Sequence, residues 1–268
     1  MYSNFHSHTT YCDGKNTCEE MVIAAIEKGF VALGFSGHAH TSYSDYEMTL
    51  DGTAKYINEV RALREKYAGR LEIFCGIEQD FLSDGVTDSY DFVIGSTHSV
   101  TIENHECVVD WTAEKLRGYV EQYCNGDALA FAEAYFRREA NIAAQTKCDI
   151  VGHFDLVTKF NEGGRFFDDT HPRFRDAAIA AMEEILKTCN LFEVNTGAMY
   201  NYGNANPYPT PWLLRELLAR GGEVILSSDS HDTASLGYKF PELEELLRTI
   251  GFKYRKTLTS GGFVDIKL

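Results

Sequence analysis

The chain has 268 residues, with 40 Asp and Glu against 25 Lys and Arg, for a formal net charge of −15. That length suits one or two domains, roughly 250 residues being enough for a single β/α barrel, and a composition 44% hydrophobic and 13% aromatic excludes global disorder. The acidity argues against a nucleic-acid surface, because phosphate backbones are bound by clustered Lys and Arg.

Residues 1–6 carry neither a basic region nor an apolar run, so no secretory leader is expected. The aliphatic stretch at 21–26 is too short for a bilayer, and no membrane partner is expected. Short, mostly apolar runs predict buried parallel strands at 2–8, 31–36, 71–78, 92–98, 149–153, 191–195 and 223–229, with a further one at 253–259. Helical patterns fill the gaps. Thr17-Cys18-Glu19-Glu20 is a capping-box sequence opening a helix that Gly29 ends. Tyr56, Val60, Leu63 and Tyr67 recur at helical spacing, and longer helical stretches lie near 127–146 and 172–189. Pro211 and Pro241 are placed to open the last two helices. The seven cysteines show no CxxC pair and read as reduced thiols, which predicts a cytoplasmic protein.

Strand alternating with helix predicts a parallel α/β architecture, but periodicity cannot separate a closed barrel from an open sheet. The polar residues decide for the barrel. His6 and His8 end the first predicted strand, and His38 follows the second. Glu78, His98, His153, Asn195 and Asp229 end the next five, and His231 lies two residues past Asp229. Carboxyl ends of barrel strands converge on one face, which gathers these groups at one site.

In an extended strand residues i and i+2 share a face, so His6 and His8 can grip one metal ion. Asp229 and His231 repeat that spacing with a carboxylate and an imidazole. Glu78 ends an apolar strand, where an uncompensated carboxylate would be costly without a cation. His98 and His153 each close an apolar strand. Together these residues predict a metal site.

The set HSHTTYCDG at 6–14, GFSGHAH at 34–40, GIEQDF at 76–81, IGSTHSV at 94–100, VGHFDL at 151–156 and SSDSHD at 227–232 resembles the polymerase and histidinol phosphatase (PHP) family of metal-dependent phosphoesterases. Length and spacing are most similar to its stand-alone phosphatases acting on L-histidinol phosphate. The resemblance implies one domain over 1–268, a distorted, TIM-like (β/α)7 barrel, and two to three divalent ions (Zn, Mn or Fe) at the C-terminal ends of the strands. It implies His6, His8, Glu78 and Asp229 on one ion, Glu78, His98 and His153 on a second, and Asp13, His38 and His231 on a third. Asp13 stands where the family often has His, which makes that third site harder and richer in oxygen. A hydroxide between the metals, held through Glu78 and Asp229, would be the nucleophile. A carboxylate can bridge two cations, and paired metals bring the pKa of a shared water toward neutrality.

Lys159 and Arg165 form a basic pair in a glycine-containing loop and are expected on phosphate oxygens. Asn195 and Tyr200, in the turn after the sixth strand, are further substrate-contact candidates, although the basic residue expected in that turn is missing. His40 is a candidate acid for the leaving alkoxide. Asp80, Asp155 and Asp232 are supporting or substrate-facing candidates, His105 and His171 are structural, and the aromatic loop 43–47 is a candidate lid. The expected partner is a small phosphate ester and not a nucleic acid. Two other classes stay open: an amidohydrolase-type hydrolase, which usually wants a bridging Lys where Glu78 stands, and a non-enzymatic metal-binding module. Nuclease activity is opposed by the charge.

Overall fold

In chain order, β1 (Ser3–Asn4), α1 (Cys18–Glu27), β2 (Ala32–Phe35), α2 (Leu50–Lys66), β3 (Glu72–Asp80) and β4 (Phe92–Ser96) are followed by a hairpin of β5 (Ser99–Ile102) and β6 (His105–Val108). Then come α3 (Ala113–Tyr123), α4 (Ala128–Glu139), α5 (Ile142–Thr146), β7 (Ile150–Val151), α6 (Pro172–Ile185), β8 (Leu191–Asn195) and α7 (Gly197–Asn201). The chain ends through α8 (Pro211–Ala219), β9 (Glu223–Ser227), α9 (Phe240–Ile250), β10 (Tyr254–Thr259) and β11 (Gly262–Lys267). The structure, a computed structural model, describes every residue except 1, 42, 44, 45 and 84.

The large sheet runs β1-β2-β3-β4-β7-β8-β9-β10-β11, and neighbours from β1 to β9 pair in parallel. It curls until its ends meet. Beyond β9, Ser230 N donates to His6 O at 3.1 Å and His8 N to Ser230 O at 2.8 Å, joining the chain after β9 to the chain after β1. At the opposite rim Ser3 Oγ and Thr257 Oγ1 lie 2.6 Å apart, so β10 wedges between β9 and β1. This is the distorted (β/α)7 barrel expected, with the β10–β11 hairpin added.

Helix starts obey local chemistry. The Thr17–Glu20 capping box forms at α1, and Pro211 and Pro241 occupy first turns. The barrel floor is plugged by Phe5, Phe74, Phe92, Ile94, Ile150 and Ile225. Glycine is required beside that plug, because a Cβ on Gly76 would fall 2.3 Å from Phe92 Cζ. A larger apolar layer seals sheet against helices. Phenylalanines fill the floor, so polar side chains at the strand ends are gathered at the other mouth.

The structure corrects several boundaries. β1 and β7 are two-residue ladders, shorter than 2–8 and 149–153, since the residues leading to His8 and His153 bend away from regular pairing to face the site. The helix near 127–146 breaks at Asn141, which starts α5. The β5–β6 hairpin, α3 and β11 were not anticipated. Of the loop at 43–47, positions 44 and 45 lie outside the described residues. No helix among the described residues is long and apolar enough to cross a membrane.

Candidate metal centre

The extended chain after β1 turns both of its imidazoles inward. His6 Nε2 lies 3.3 Å from Glu78 Oε2 and 3.5 Å from Asp229 Oδ1. His8 Nε2 lies 3.6 Å and 3.2 Å from the same two atoms. Ligands about 2.1 Å from one ion in a tetrahedron are about 3.4 Å apart, and His6, His8 and Asp229 form a group that could hold an ion, with Glu78 beside both imidazoles. His6 Nε2 and His8 Nε2 are buried with no hydrogen-bond partner among the described residues, as ligand atoms would be.

The second oxygen of Glu78 faces the other way. Its Oε1 is 3.0 Å from His153 Nε2 and 3.4 Å from His98 Nε2. A third grouping joins His8, Asp13, His38 and His231. In it Asp13 Oδ2 is 3.2 Å from His231 Nε2, and Asp13 Oδ1 is 3.7 Å from His38 Nε2. His38 also meets Glu78 Oε2 through Nδ1 at 2.7 Å. The expected ligands thus fall into three overlapping groups that could hold an ion: His6, His8 and Asp229; His38, Glu78 and His98; and His8, Asp13, His38 and His231. His38 and His8 are each shared where the expectation gave them to one ion, and His153 joins through Glu78 Oε1.

Charge compensation explains how so many ionisable groups share a dry pocket. Burial opposes ionisation of Glu78, but His38, His6 and His98 outweigh it and hold the carboxyl well below its usual range. Asp229 is likewise held low, against burial, by His6, His8 and His231. His8 goes the other way: burial, with His231 and His38 beside it, lowers it to about 4 and leaves a neutral ring suited to ligation. Cys12 Sγ is 3.5 Å from His8 Nδ1, yet burial pushes its thiol up to about 11. The donor set is thus nitrogen and oxygen, which fits divalent Zn, Mn or Fe.

A layer of partners orients these groups. Glu193, in mid-β8, meets His6 Nδ1 at 2.8 Å and accepts from His153 N at 2.7 Å and Asn195 Nδ2 at 2.7 Å. Asp80 Oδ2 lies 3.1 Å from His98 Nδ1. Asp229 itself sits at φ +48°, an uncommon conformation for a non-glycine residue, which aims its carboxylate back at the site. The mouth opens into a cleft of about 820 Å³, whose walls include Tyr46, Asp110, Trp111, Lys159 and Tyr202.

Several expectations for substrate contacts are corrected by position. Lys159 lines the cleft, with Nζ 3.2 Å from Asp110 Oδ2. Arg165 does not: Asn161 Oδ1 accepts from Phe166 N and Phe167 N, the loop turns outward, and Arg165 lies exposed over Phe166 beside Glu114 and Glu121. His40 is exposed outside the cleft, because strand-like pairing ends at Ala39, whose N–H bonds to Glu78 O. Asn195 is buried behind the site, donating to Asp229 Oδ2 at 3.2 Å. Tyr200 packs on Tyr238 at 5.2 Å, and Tyr202 takes the place at the wall. Asp232 holds Lys15 at 3.1 Å, and Asp155 is buried against Thr210 N at 3.1 Å. His105 stacks on Tyr123 and His171 caps α6, both structural as expected.

The residues that sequence reasoning missed are Glu193, Asp110, Trp111 and Tyr202. For Glu193 the signal was present: a carboxylate inside the apolar run LFEV is as costly as Glu78 and needs an equally specific partner.

Known proteins resemble this chain over most of its length. A Deinococcus radiodurans protein named "Probable histidinol-phosphatase" is 28% identical over 272 residues, covering 94% of this chain and 96% of its own. A Bacillus subtilis protein named "Histidinol-phosphatase" is 26% identical, covering 88% and 95%. A Listeria monocytogenes crystal structure superposes with TM-score 0.78 at 21% identity, over 90% of this chain and 99% of that one. The crystal structure of a Lactococcus lactis histidinol phosphate phosphatase, complexed with Zn, L-histidinol and phosphate, superposes with TM-score 0.66 at 19% identity, over 98% of both chains. The model of the PHP domain matches residues 4–197, and the chain belongs to the PHP domain family.

Proposed function

We propose that this protein is a divalent-metal-dependent phosphomonoesterase that hydrolyses L-histidinol phosphate to L-histidinol and inorganic phosphate, a step of histidine biosynthesis. The observation that carries this reading is Glu78, whose two oxygens face separate imidazole sets at the floor of a cleft sized for a small ester. The substrate is supported by the names of the near-full-length relatives and by the histidinol and phosphate in the Lactococcus lactis complex.

In this reading His6, His8, Glu78 and Asp229 hold one ion, Glu78, His98 and His153 a second, and Asp13, His38 and His231 a third. Bound there, divalent ions neutralise phosphate charge and bring the pKa of water toward 7. The chain's own residues do the rest. Glu193 and Asp80 keep the rings of His6 and His98 turned to the site. Lys159 donates to phosphate oxygens from the wall. The aromatic side chains of Tyr46, Trp111 and Tyr202 offer flat surfaces to the imidazole ring. Seven free thiols favour a reducing, cytoplasmic setting.

The test is a kcat/KM panel of phosphate esters with Mn, Fe and Zn each supplied to metal-stripped protein. Histidinol phosphate should be the best substrate, single-stranded DNA should remain intact, and Glu78→Ala should abolish turnover. Full activity after exhaustive chelation would overturn the reading.

A further inference from the structure

Among the described residues, four carboxylates line the cleft: Asp13, Glu78, Asp110 and Asp229. Three belong to the histidine-rich centre. Asp110 stands apart from it, at the end of the β5–β6 hairpin, an excursion that the repeating strand–helix pattern does not need. This hairpin begins one residue after His98 and returns to it, with Val109 N donating to His98 O at 2.8 Å. Its geometry fixes Asp110 beside the centre, facing Lys159 at 3.2 Å.

A cleft built only for a phosphate dianion gains nothing from this arrangement. A carboxylate there repels the ligand and neutralises the lysine that would bind it. The pairing is advantageous when the ligand carries both signs, because each charge of the pair can then find an opposite charge on the ligand. Asp110 is also kept ionised: burial opposes this, but Lys159, His98 and His153 hold its carboxyl below the usual range.

We infer that Asp110 is a specificity-determining residue that receives an ammonium group of the substrate while Lys159 engages the phosphate, so that the site selects amino-alkyl phosphates over amine-free ones. This inference rests on the phosphatase reading and narrows it to zwitterionic esters.

The experiment compares the metal-loaded wild type with Asp110→Asn on two pairs of esters differing only by an amine. One pair is L-histidinol phosphate and its desamino analogue, 3-(imidazol-4-yl)propyl phosphate; the other is O-phosphoethanolamine and ethyl phosphate. The wild type should favour the amine-bearing member by about 30- to 100-fold in kcat/KM, as expected when a half-buried charged acceptor is otherwise left unpaired. Asp110→Asn should erase that preference by lowering kcat/KM for the amine-bearing member and raising it for the amine-free one, because Lys159 loses its counter-charge. Metal content and circular dichroism of the purified variant verify that it folds and binds metal. Asp110→Glu should recover part of the preference. An equal fall on amine-bearing and amine-free esters would overturn the inference and leave Asp110 as a positioning residue for Lys159. So would a wild type indifferent to the amine. If histidinol phosphate were not hydrolysed, the natural-substrate reading would fail, and the ethanolamine pair would still decide the role of Asp110.

Discussion

At the scale of single residues, two buried carboxyls outside the metal centre matter in opposite ways. Glu193 is ionised: burial opposes this, but His6, with its ring nitrogen 2.8 Å away, keeps the carboxyl below its usual range. Glu193→Gln removes the charge that orients His6, and loss of such a partner typically costs 10- to 100-fold in metal affinity or activity. Metal competition titration should show that drop with the fold intact by circular dichroism, and an unchanged affinity would remove Glu193 from the site. Glu139 is neutral instead. It is fully buried in α4, both oxygens lack a hydrogen-bond partner among the described residues, and burial raises it to about 8, with Thr97 and His98 only partly offsetting. Its folded pKa lies above its unfolded value, so its stabilisation is complete below about pH 4 and is lost as pH rises toward 8. Glu139→Gln cannot ionise and should remove that slope, gaining on the order of 2–4 kcal/mol relative to wild type between pH 5 and pH 8. Urea unfolding at the two pH values measures it, and parallel slopes in both proteins would contradict it.

At the scale of elements, the hairpin and the helix that grips it connect packing to substrate choice. Arg138 of α4 reaches Ser99 Oγ at 3.0 Å and Glu106 Oε2 at 3.2 Å, with Thr101 alongside, and its guanidinium lies 5.1 Å over the Phe81 ring. Arg138→Ala should loosen β5–β6 and with it Asp110 and Trp111. KM for histidinol phosphate should rise about tenfold while kcat stays within about twofold, since ground-state contacts are lost and the metal centre is not touched. A fall in kcat at constant KM would mean that the hairpin supports the chemistry itself. This element was not legible in the sequence. Its turn uses Glu103 and Asn104, both at positive φ, where an Asn-Gly pair would have announced a hairpin, and its strands are four residues each. The strands that were legible are those whose apolar runs end in a polar group, as Phe-Val-Ile-Gly-Ser leads to His98. The same rule exposed His6, His8, Glu78, His153 and Asp229. It could not place His40, Arg165 or Tyr200, because loop direction beyond a strand end depends on contacts such as Asn161 with Phe166 and Phe167, which leave no local pattern.

At the scale of the whole molecule, a net charge of −15 by itself repels a phosphate ester, yet much of the chemistry is set by a small volume where carboxylates and imidazoles neutralise one another. Metal-stripped protein must keep that balance with protons. His231 shows the consequence: burial disfavours its charged ring, but Asp13 and Asp229 outweigh burial and raise it to about 9. The stabilisation from this raised pKa is fully present below about pH 6.5 and disappears as pH passes through about 9. A ring bound to metal is already neutral and loses nothing over that range. Ion binding at 100 times Kd contributes about 2.7 kcal/mol per site, and each kcal/mol moves Tm by about 2–4 °C in a chain of this size. Chelated protein should therefore melt about 5–10 °C below the manganese- or zinc-loaded form at pH 7 for each site emptied, and the gap should widen at pH 9. Scanning calorimetry of both forms at the two pH values measures each part. Equal Tm in both forms would exclude a metal that binds the folded chain, whereas a gap narrowing with pH would mean that protons do not replace the ions in the empty centre.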